Sequence, residues 1–173
     1  MTTTPIIQFG TSRFLQAHVD LFVSEGENVL GGITVVQGTD NPASTRRAQA
    51  LADGYPVAIR GLVDGRPVDI RKTCRSVRET LHARADWAAV RERVRGPVQV
   101  IVSNTGDSGW ALAGTDGPAL LARDAAAPSA FAARLLVLLH DRWLSQPAAE
   151  LTLLPCELVS RNGDALRELM AGL

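Results

Sequence analysis

Residues 5–23 read PIIQFGTSRFLQAHVDLFV, and this stretch decides the fold. Ile6–Phe9 is a short apolar run of the kind that forms a buried strand, and Gly10 follows it directly. Over residues 14–23 the apolar side chains, together with His18, recur at the spacing of one helical face. We therefore predict a strand, a turn on glycine and a helix, which is the beginning of a parallel βα unit.

The turn has one of the three glycines of the dinucleotide-binding fingerprint Gly-x-Gly-x-x-Gly. Gly10 can supply the sharp bend, but Ser12 and Leu15 stand where the second and third glycines would be. The amides of residues 11–13 could still face a pyrophosphate at the helix N-terminus, with Arg13 adding a positive charge. Taken alone, the pattern fits an ordinary βα turn with one glycine at least as well as a dinucleotide site.

The second part of the fingerprint is an acidic residue at the end of the second strand, where it binds the ribose 2′-hydroxyl. The apolar run at 33–36 ends in the polar sequence Gln-Gly-Thr, and no acid appears before Asp40. Gln37 could bind a ribose hydroxyl, and Arg46 and Arg47 lie close enough in sequence to meet a 2′-phosphate. The residues themselves therefore leave NAD and NADP open.

The rest of the chain alternates strands and helices. Asp64-Gly65 between two alternating runs predicts a β-hairpin, and Asn41 and Ser129 are expected to cap helices. The predicted elements after the first βα unit are a strand at 33–36, a helix at 42–51, hairpin strands at 55–63 and 66–74, a helix at 83–94, a strand at 98–104, a loop at 106–124, a helix at 129–144, a strand at 150–155 and a helix at 162–173. This order predicts one α/β domain over residues 1–173, with a Rossmann-like, mostly parallel sheet flanked by helices and an inserted β-hairpin.

The composition argues against several classes of partner. The formal net charge is +0 over 173 residues, so nothing predicts a nucleic-acid or membrane-surface binder. No apolar run is long enough to cross a membrane, and no secretory signal is visible. Cys74 and Cys156 match no metal-binding or redox spacing, so we expect free thiols, no metal and a cytoplasmic location.

Three segments, in order along the chain, resemble the long-chain mannitol dehydrogenase family, which includes mannitol 2-dehydrogenase and the hexuronate reductases. The first is IIQFGTSRFLQAHVD (6–20), in which Gly10 and Phe14 fit the family's turn and Ser12 departs from it. The second is VIVSNTGDSG (100–109), which is similar to the fourth-strand segment of the hexuronate reductases. The third and most specific is LLPCELVSRNGDALREL (153–169), which resembles the tagaturonate (altronate) reductase form. Leu158 stands where mannitol dehydrogenases commonly have a catalytic-site Asn, which favours the tagaturonate or fructuronate (mannonate) reductases.

The resemblance implies an N-terminal Rossmann domain that binds NAD or NADP, with NAD favoured. In the family, hydride passes between the nicotinamide and a ketose, keto-uronate or sugar-acid carbinol. A Lys of a helical C-terminal domain exchanges the hydroxyl proton, and this chain ends before that domain. We therefore expect no catalytic residue in it and no activity of the chain alone, since Lys72, its only lysine, matches no such motif.

The resemblance and the predicted sheet together assign the candidate site residues. Those expected at the pyrophosphate are Gly10, Thr11, Ser12, Arg13 and Phe14, and Gln37 is expected at the ribose. Those expected near the nicotinamide ribose are Ser103, Asn104 and Thr105. Those expected at the substrate cleft between the domains are Cys156, Glu157 and Asn162.

Other conspicuous residues have simpler explanations. His18 is expected to be packed and hydrogen-bonded, and Cys156 is expected to be a small apolar residue rather than a nucleophile. Glu157 is expected either at the beginning of a helix or in the site. His82 and His140 are expected at the surface or a helix flank, and the basic run of Arg71, Lys72, Arg75 and Arg78 on a solvated hairpin edge. The three tryptophans, Trp87, Trp110 and Trp143, are expected to be packed, and Trp110 could contact a partner domain.

Two other functions remain open at this point. One is a non-catalytic dinucleotide-binding module with a regulatory role, and the other is an inactive fragment that binds no nucleotide and pairs through an exposed face. The agreement of three separate segments favours the family function over both.

Overall fold

The computed structural model describes residues 4–27, 30–112, 114 and 118–173. Within them lie strands at Ile6–Phe9 (β1), Ile33–Gln37 (β2), Tyr55–Val63 (β3), Arg66–Cys74 (β4), Val77–His82 (β5), Val100–Ser103 (β6) and Thr152–Pro155 (β7). The α-helical segments are Arg13–Leu15 (α1), Leu21–Glu25 (α2), Pro42–Leu51 (α3), Trp87–Arg95 (α4), Phe131–Ser145 (α5) and Asn162–Ala171 (α6). A π-helical turn, Gln16–Asp20, joins α1 to α2, and the short 3-10 helices Asp107–Trp110 and Pro118–Leu121 precede α5.

Five strands form one parallel sheet in the order β5-β2-β1-β6-β7, and β3 and β4 form a separate antiparallel hairpin. β1 lies at the centre, where Ile6 pairs with Ile33 of β2 on one side and with Val100 of β6 on the other. Every residue of β1 and β2 is buried, as parallel strands covered on both faces require. The predicted Rossmann-like sheet with an inserted hairpin is confirmed.

The core lies in two layers, one on each face of the sheet. Ile7 and Phe9 belong to a cluster with Val90 of α4 and Leu138 of α5. Ile6 belongs to the opposite cluster, with Leu15 of α1. The sheet therefore holds helices on both faces and leaves the carboxyl ends of its strands open at one edge.

The strand β5 was not predicted, and the helix expected at 83–94 begins only at Trp87. β5 is an edge strand that pairs with β2 alone. After the buried Val77 its residues are exposed or partly buried, and Glu79 forms an ion pair with Arg93. An edge strand with polar side chains gives no apolar run, so the sequence pattern did not separate it from the helix that follows.

The π-helical turn splits the helical face that the sequence predicted. Leu15 and Leu21 are buried, but Phe14 and Phe22 are 47% and 65% exposed. His18 lies between these two rings, with centroids 4.6 Å from Phe14 and 5.9 Å from Phe22, and its Nδ1 is 2.9 Å from the Phe14 carbonyl oxygen. The expectation that these five side chains share one helical face was wrong, because Leu15 and Leu21 are buried while Phe14, His18 and Phe22 contact one another on an exposed face.

Asp20, at the end of the π turn, anchors the hairpin to the sheet. The Tyr55 hydroxyl donates a 2.6 Å hydrogen bond to its carboxylate, and the Ser76 hydroxyl donates one of 2.7 Å to its backbone carbonyl. Asp20 is 0% exposed, and burial raises the pKa of its carboxyl to about 6, against hydrogen bonds from Tyr55 and Gln8 that lower it. Around it, Leu21 packs with buried residues of β3 and β4.

Two buried arginines fasten α4 to α5. Arg91 donates two hydrogen bonds to Asp141, at 2.6 and 2.8 Å, and these bonds help to hold the pKa of the Asp141 carboxyl below its usual range, although burial opposes them. Arg142 donates to the carbonyl oxygens of Val94 and Gly96 and so satisfies the end of α4. These bonds fix the layer of helices under the β6 side of the sheet.

The two predicted helix caps had different outcomes. Asn41 accepts a 2.8 Å hydrogen bond from the Ala43 amide and caps α3, as predicted. The Ser129 cap was wrong, because α5 begins at Phe131 with Ala130 at its N-cap and no side-chain cap. The hairpin turn is as predicted, with Asp64 and Gly65 both at positive φ, 50° and 74°.

No helix of the described residues has the length and apolarity needed to cross a membrane.

Candidate functional site

A cleft of about 430 Å³ opens where β1, β2 and β6 end. The chain leaves the central strand β1 toward β2 on one side, while β6 lies on the other, so this edge is the topological switch point of the sheet. The cleft is lined by the Gly10 turn, the segment after β2, the segment after β6 and residues at the beginning of α5. Ligands of open α/β sheets bind at this position.

Gly10 makes the turn possible because no other residue fits there. Its φ is +110°, a conformation that residues with side chains rarely adopt. A Cβ atom on Gly10 would lie 2.4 Å from the carbonyl oxygen of Asn104. The turn therefore crosses directly over the end of β6, and Gly10 also donates a 3.0 Å hydrogen bond to the Val36 carbonyl of β2.

Ser12 and Leu15 fit this turn without glycine. Ser12 has extended dihedrals, φ −68° and ψ 151°, and its hydroxyl accepts a 3.2 Å hydrogen bond from the Leu15 amide as the N-cap of α1. Leu15 is fully buried against the sheet. The amides of Thr11, Ser12 and Arg13 have no acceptor among the described residues, so they remain free to donate to an anion.

Six of the residues assigned to the candidate site line the cleft. Arg47, which the sequence offered for a 2′-phosphate, also lines it, and the other assigned residues lie outside. The six that line it are Gly10, Thr11, Ser12, Gln37, Asn104 and Thr105. Arg13 and Phe14 are exposed on the helix beyond the cleft, and Ser103 is buried beneath it. Those that do not line it are Cys156, Glu157 and Asn162.

The Gln37 side chain is engaged within the protein. It is 2% exposed, and its amide nitrogen donates to the carbonyl oxygen and to the hydroxyl of Thr39. Its amide oxygen accepts a 3.3 Å hydrogen bond from the Thr45 hydroxyl. Gln37 therefore shapes the segment after β2, and it offers no free polar group for the ribose bond that we considered.

The first acid after β2 is also engaged, on the side of β5. Asp40 lies 3.2 Å from His82 Nε2 and 3.1 Å from an Arg84 guanidinium nitrogen. His82 Nδ1 accepts from the amides of Arg84 and Ala85, so Nε2 carries the proton of the neutral ring. Asp40 does not line the cleft.

Glu157 ties the segment after β6 to the segment after β7. It is 6% exposed, and its carboxylate accepts hydrogen bonds from the Ser103 hydroxyl at 3.1 Å and from the Thr105 amide and hydroxyl at 3.1 and 3.3 Å. A buried carboxylate that accepts three hydrogen bonds is well satisfied. Its position sets the backbone of Thr105, which lines the cleft.

Two asparagines also hold together the segments that follow β6 and β7. Asn104 donates a 2.6 Å hydrogen bond to the Cys156 carbonyl, and Asn162 donates to the carbonyls of Pro155 and Glu157 at 2.7 and 3.2 Å. Burial and the Glu157 charge raise the pKa of the Cys156 thiol, which disfavours the thiolate that a nucleophile would need. The motif at 153–169 thus holds the strand ends in place beside the cleft.

The structure adds lining residues that the sequence did not identify. They are Thr39, Ser44, Gly109, Ser129, Phe131 and Arg134. Arg134 is 6% exposed and donates a 2.6 Å hydrogen bond from Nε to the Pro128 carbonyl. Its signal was one arginine inside the apolar sequence FAARLLVLL, which is typical of a buried and hydrogen-bonded charge.

The remaining conspicuous residues lie away from the cleft. Trp87 is buried as expected, but Trp143 is 61% exposed. Lys72 forms an ion pair with Glu25 on α2, on the hairpin side. Within the described ranges, no group of three or more His, Cys, Asp or Glu side chains could hold a metal ion.

Comparison with curated proteins finds relatives that share nearly the whole chain. Altronate oxidoreductases from Halalkalibacterium halodurans, Klebsiella pneumoniae and Yersinia enterocolitica are 29%, 33% and 34% identical to it, each over 95% of its length. The chain covers 33%, 35% and 35% of these proteins, so it spans about a third of the length of the curated relatives that it matches. No family model matches the chain.

Solved structures give the same fold. A substrate-free D-sorbitol dehydrogenase superposes with a TM-score of 0.78 at 20% identity, over 99% of this chain and 37% of that one. A Pseudomonas fluorescens mannitol 2-dehydrogenase, solved with NAD and D-mannitol, superposes with a TM-score of 0.74 at 17% identity, over 98% of this chain and 36% of that one. At these identities the likeness concerns the fold.

Proposed function

We propose that the chain belongs to the mannitol dehydrogenase family and is the coenzyme-binding domain of a sugar-acid or polyol oxidoreductase. The observation that carries the proposal is the Gly10 turn, which crosses the end of β6 and leaves the amides of Thr11 and Ser12 without acceptors in the described part of the chain. The similarity to altronate oxidoreductases over 95% of the chain supports it. We propose a hexuronate such as tagaturonate as the substrate of the whole enzyme.

The residues present fit a nicotinamide dinucleotide. A Cβ at position 10 would fill the place where the backbone must come close to a pyrophosphate, and glycine leaves that place open. Free amides at a helix N-terminus bind phosphate through direct hydrogen bonds and the helix dipole. Phe9, Val36 and Phe131 give the cleft apolar walls that suit the planar rings of a nucleotide.

The coenzyme, when bound, supplies the hydride chemistry. The chain's own residues bind and orient it. The Gly10 turn would hold the pyrophosphate, and Asn104 and Thr105 would lie along the nicotinamide half. Glu157 would act as a positioning residue, because it holds Thr105 through its backbone amide and its hydroxyl.

The proton-transfer residue of the reaction is proposed to lie outside this chain. Lys72, the one lysine of the sequence, is paired with Glu25 beside the hairpin. We therefore propose one coenzyme domain over residues 1–173, a helical domain that carries the catalytic lysine, and no turnover by the chain alone. A cytoplasmic location completes the proposal, and the free thiols of Cys74 and Cys156 are compatible with it.

Two observations favour different coenzymes. The family resemblance favours NAD, which is the coenzyme in the mannitol 2-dehydrogenase structure. Arg47, which lines the cleft, favours NADP because arginine suits a 2′-phosphate. A non-catalytic dinucleotide-binding module remains the second candidate, since a binding cleft without a catalytic residue would serve it equally well.

The proposal is tested by a matched pair of substitutions at Ser12. Asp and Asn both cap helices as well as Ser does, so Ser12→Asp and Ser12→Asn should each leave α1 intact. Asp adds a negative charge beside the expected pyrophosphate, and Asn does not. Calorimetric titration with NADH and with NADPH should show binding to the Asn variant and a loss of about tenfold or more in the Asp variant.

Equal binding by the two Ser12 variants would overturn the placement of the pyrophosphate. Failure of the folded wild-type chain to bind either coenzyme would overturn the proposed function itself. Gly10→Val is a weaker test, because the new side chain would strike the Asn104 backbone and disturb the fold as well as the site.

A further inference from the structure

The charged residues in the cleft affect whether it binds NAD(H) or NADP(H), which differ by one phosphate. Its described lining residues include two arginines, Arg47 and Arg134, and no Asp or Glu. Arg134 has interaction partners within the protein, so Arg47 is the arginine that we consider for a ligand. An unphosphorylated ribose is usually held by a carboxylate that accepts from its hydroxyls, whereas a 2′-phosphate is held by arginine.

The groups that could hold an unphosphorylated ribose are already engaged. Asp40, the first acid after β2, accepts from His82 Nε2, forms an ion pair with Arg84, and lies outside the cleft lining. The Gln37 amide is buried and bonded to Thr39. The end of β2 therefore offers no free acceptor side chain from either residue.

Arg47 is placed for a phosphate. It is exposed on α3, lines the cleft, and has no hydrogen-bond or ion-pair partner among the described residues. Ser44 lies one helical turn before it and also lines the cleft, so a hydroxyl donor and a guanidinium share one face. This face of α3 comes directly after the segment that follows β2, and the adenosine ribose of a Rossmann fold lies at that segment.

Arg134 lies at the same end of the cleft and is engaged by other groups of the protein. Its Nη1 atom lies 3.1 Å from the position that a Cβ on Gly38 would occupy. The guanidinium thus approaches the backbone directly after β2, and Gly38 leaves room for it. The two arginines come from different helices, α3 and α5, and meet one cleft.

We infer that the cleft takes the 2′-phosphorylated coenzyme NADPH in preference to NADH, with Arg47 as the residue that determines the preference. This inference rests on the proposed function and deepens it. Arg47 binds the 2′-phosphate with its guanidinium, and Ser44 donates a hydroxyl hydrogen bond to the same group.

The test compares Arg47→Gln with Arg46→Gln in calorimetric titrations of the chain. Both variants remove one exposed positive charge from neighbouring positions of α3, but only Arg47 lines the cleft. The ligands are NADPH, NADH, and the fragments adenosine 2′,5′-bisphosphate and 5′-AMP, which isolate the 2′-phosphate. Thermal unfolding of each variant checks that the fold is kept.

The wild-type chain should bind NADPH about tenfold or more tightly than NADH, and Arg47→Gln should remove most of that difference while NADH affinity stays constant. Arg46→Gln should behave as wild type. Equal or tighter binding of NADH by the wild-type chain overturns the inference but leaves the proposed function standing. A loss of NADPH affinity that is the same in both variants overturns the role of Arg47, and no binding of any ligand overturns the proposed function with it.

Discussion

Replacing Asp20 by Asn should stabilise the protein at neutral pH, although Asp20 is fully buried and hydrogen-bonded. Burial raises the pKa of its carboxyl from 3.8 to about 6, so above that pH a charged group is held in the core. Asn has the same shape, can accept the Tyr55 hydroxyl bond, and carries no charge. Among the described residues, the Oδ1 atom of Asp20 and the Oε1 atom of Gln8 have no hydrogen-bond partner, so the Asn amide group also adds a donor in this neighbourhood.

The magnitude and its sign follow from the pKa change. Between 3.8 and about 6 the native state binds more protons at Asp20 than the unfolded chain does. The contribution of Asp20 to stability therefore falls as the pH rises through this window. A shift of about 2 units, at ~1.4 kcal/mol per unit, gives a cost of ~3 kcal/mol above about pH 6.5. Asp20→Asn should remove this cost.

The assay is urea unfolding of the wild type and of Asp20→Asn at several pH values from 4 to 8. Taking the difference in unfolding free energy between the variant and the wild type removes the contributions of other titrating groups, such as Glu79, whose folded pKa is lowered by Arg93. It should be small near pH 4 and grow to ~3 kcal/mol in favour of the variant by pH 7. Tyr55→Phe is the control, because it removes the donor to Asp20 and should destabilise the wild-type protein at pH 7.

A difference that does not change with pH would refute the reasoning, because it would mean that Asp20 has the same pKa in the folded and unfolded chain. A variant that is less stable than the wild type at pH 7, by an amount as large as the expected gain, would refute it as well.

Two further predictions concern the turn and the segment after β6. Gly10→Ala should lower the unfolding free energy by about 2 kcal/mol or more, because φ is +110° and the new Cβ would lie 2.4 Å from the Asn104 carbonyl oxygen. Urea unfolding measures this loss, and an unchanged midpoint would contradict the turn geometry. Glu157→Ala should cost about 1–3 kcal/mol by leaving buried donors after β6 unsatisfied, and Glu157→Gln, which keeps an acceptor, should lose less; equal losses in the two variants would argue against the hydrogen bonds.

The sequence was most informative where local chemistry and the fold agree. The buried runs of β1 and β6, the Asn41 cap and the Asp64-Gly65 turn each follow from residue types that suit one conformation. The strand β5 and the π turn at Gln16–Asp20 were missed, because an edge strand needs no apolar run and a π turn has no sequence signature of its own.

The candidate site was predictable in its backbone and less so in its side chains. Gly10 and the amides after it follow from the turn alone. The engagement of Gln37 by Thr39 and the placement of Arg134 beside Gly38 depend on where α5 packs. Tertiary packing decides such contacts, so the sequence indicated the cleft and Arg47 but not Arg134.

The most direct test of the account follows the amides of the Gly10 turn during coenzyme binding. In nitrogen-15 NMR spectra of the chain titrated with NADPH, the resonances of Thr11, Ser12 and Arg13 should shift saturably, because these amides have no acceptor among the described residues and would donate to the pyrophosphate. Saturable shifts confined to another surface, with these three resonances unchanged, would contradict the claim that this turn is the coenzyme site.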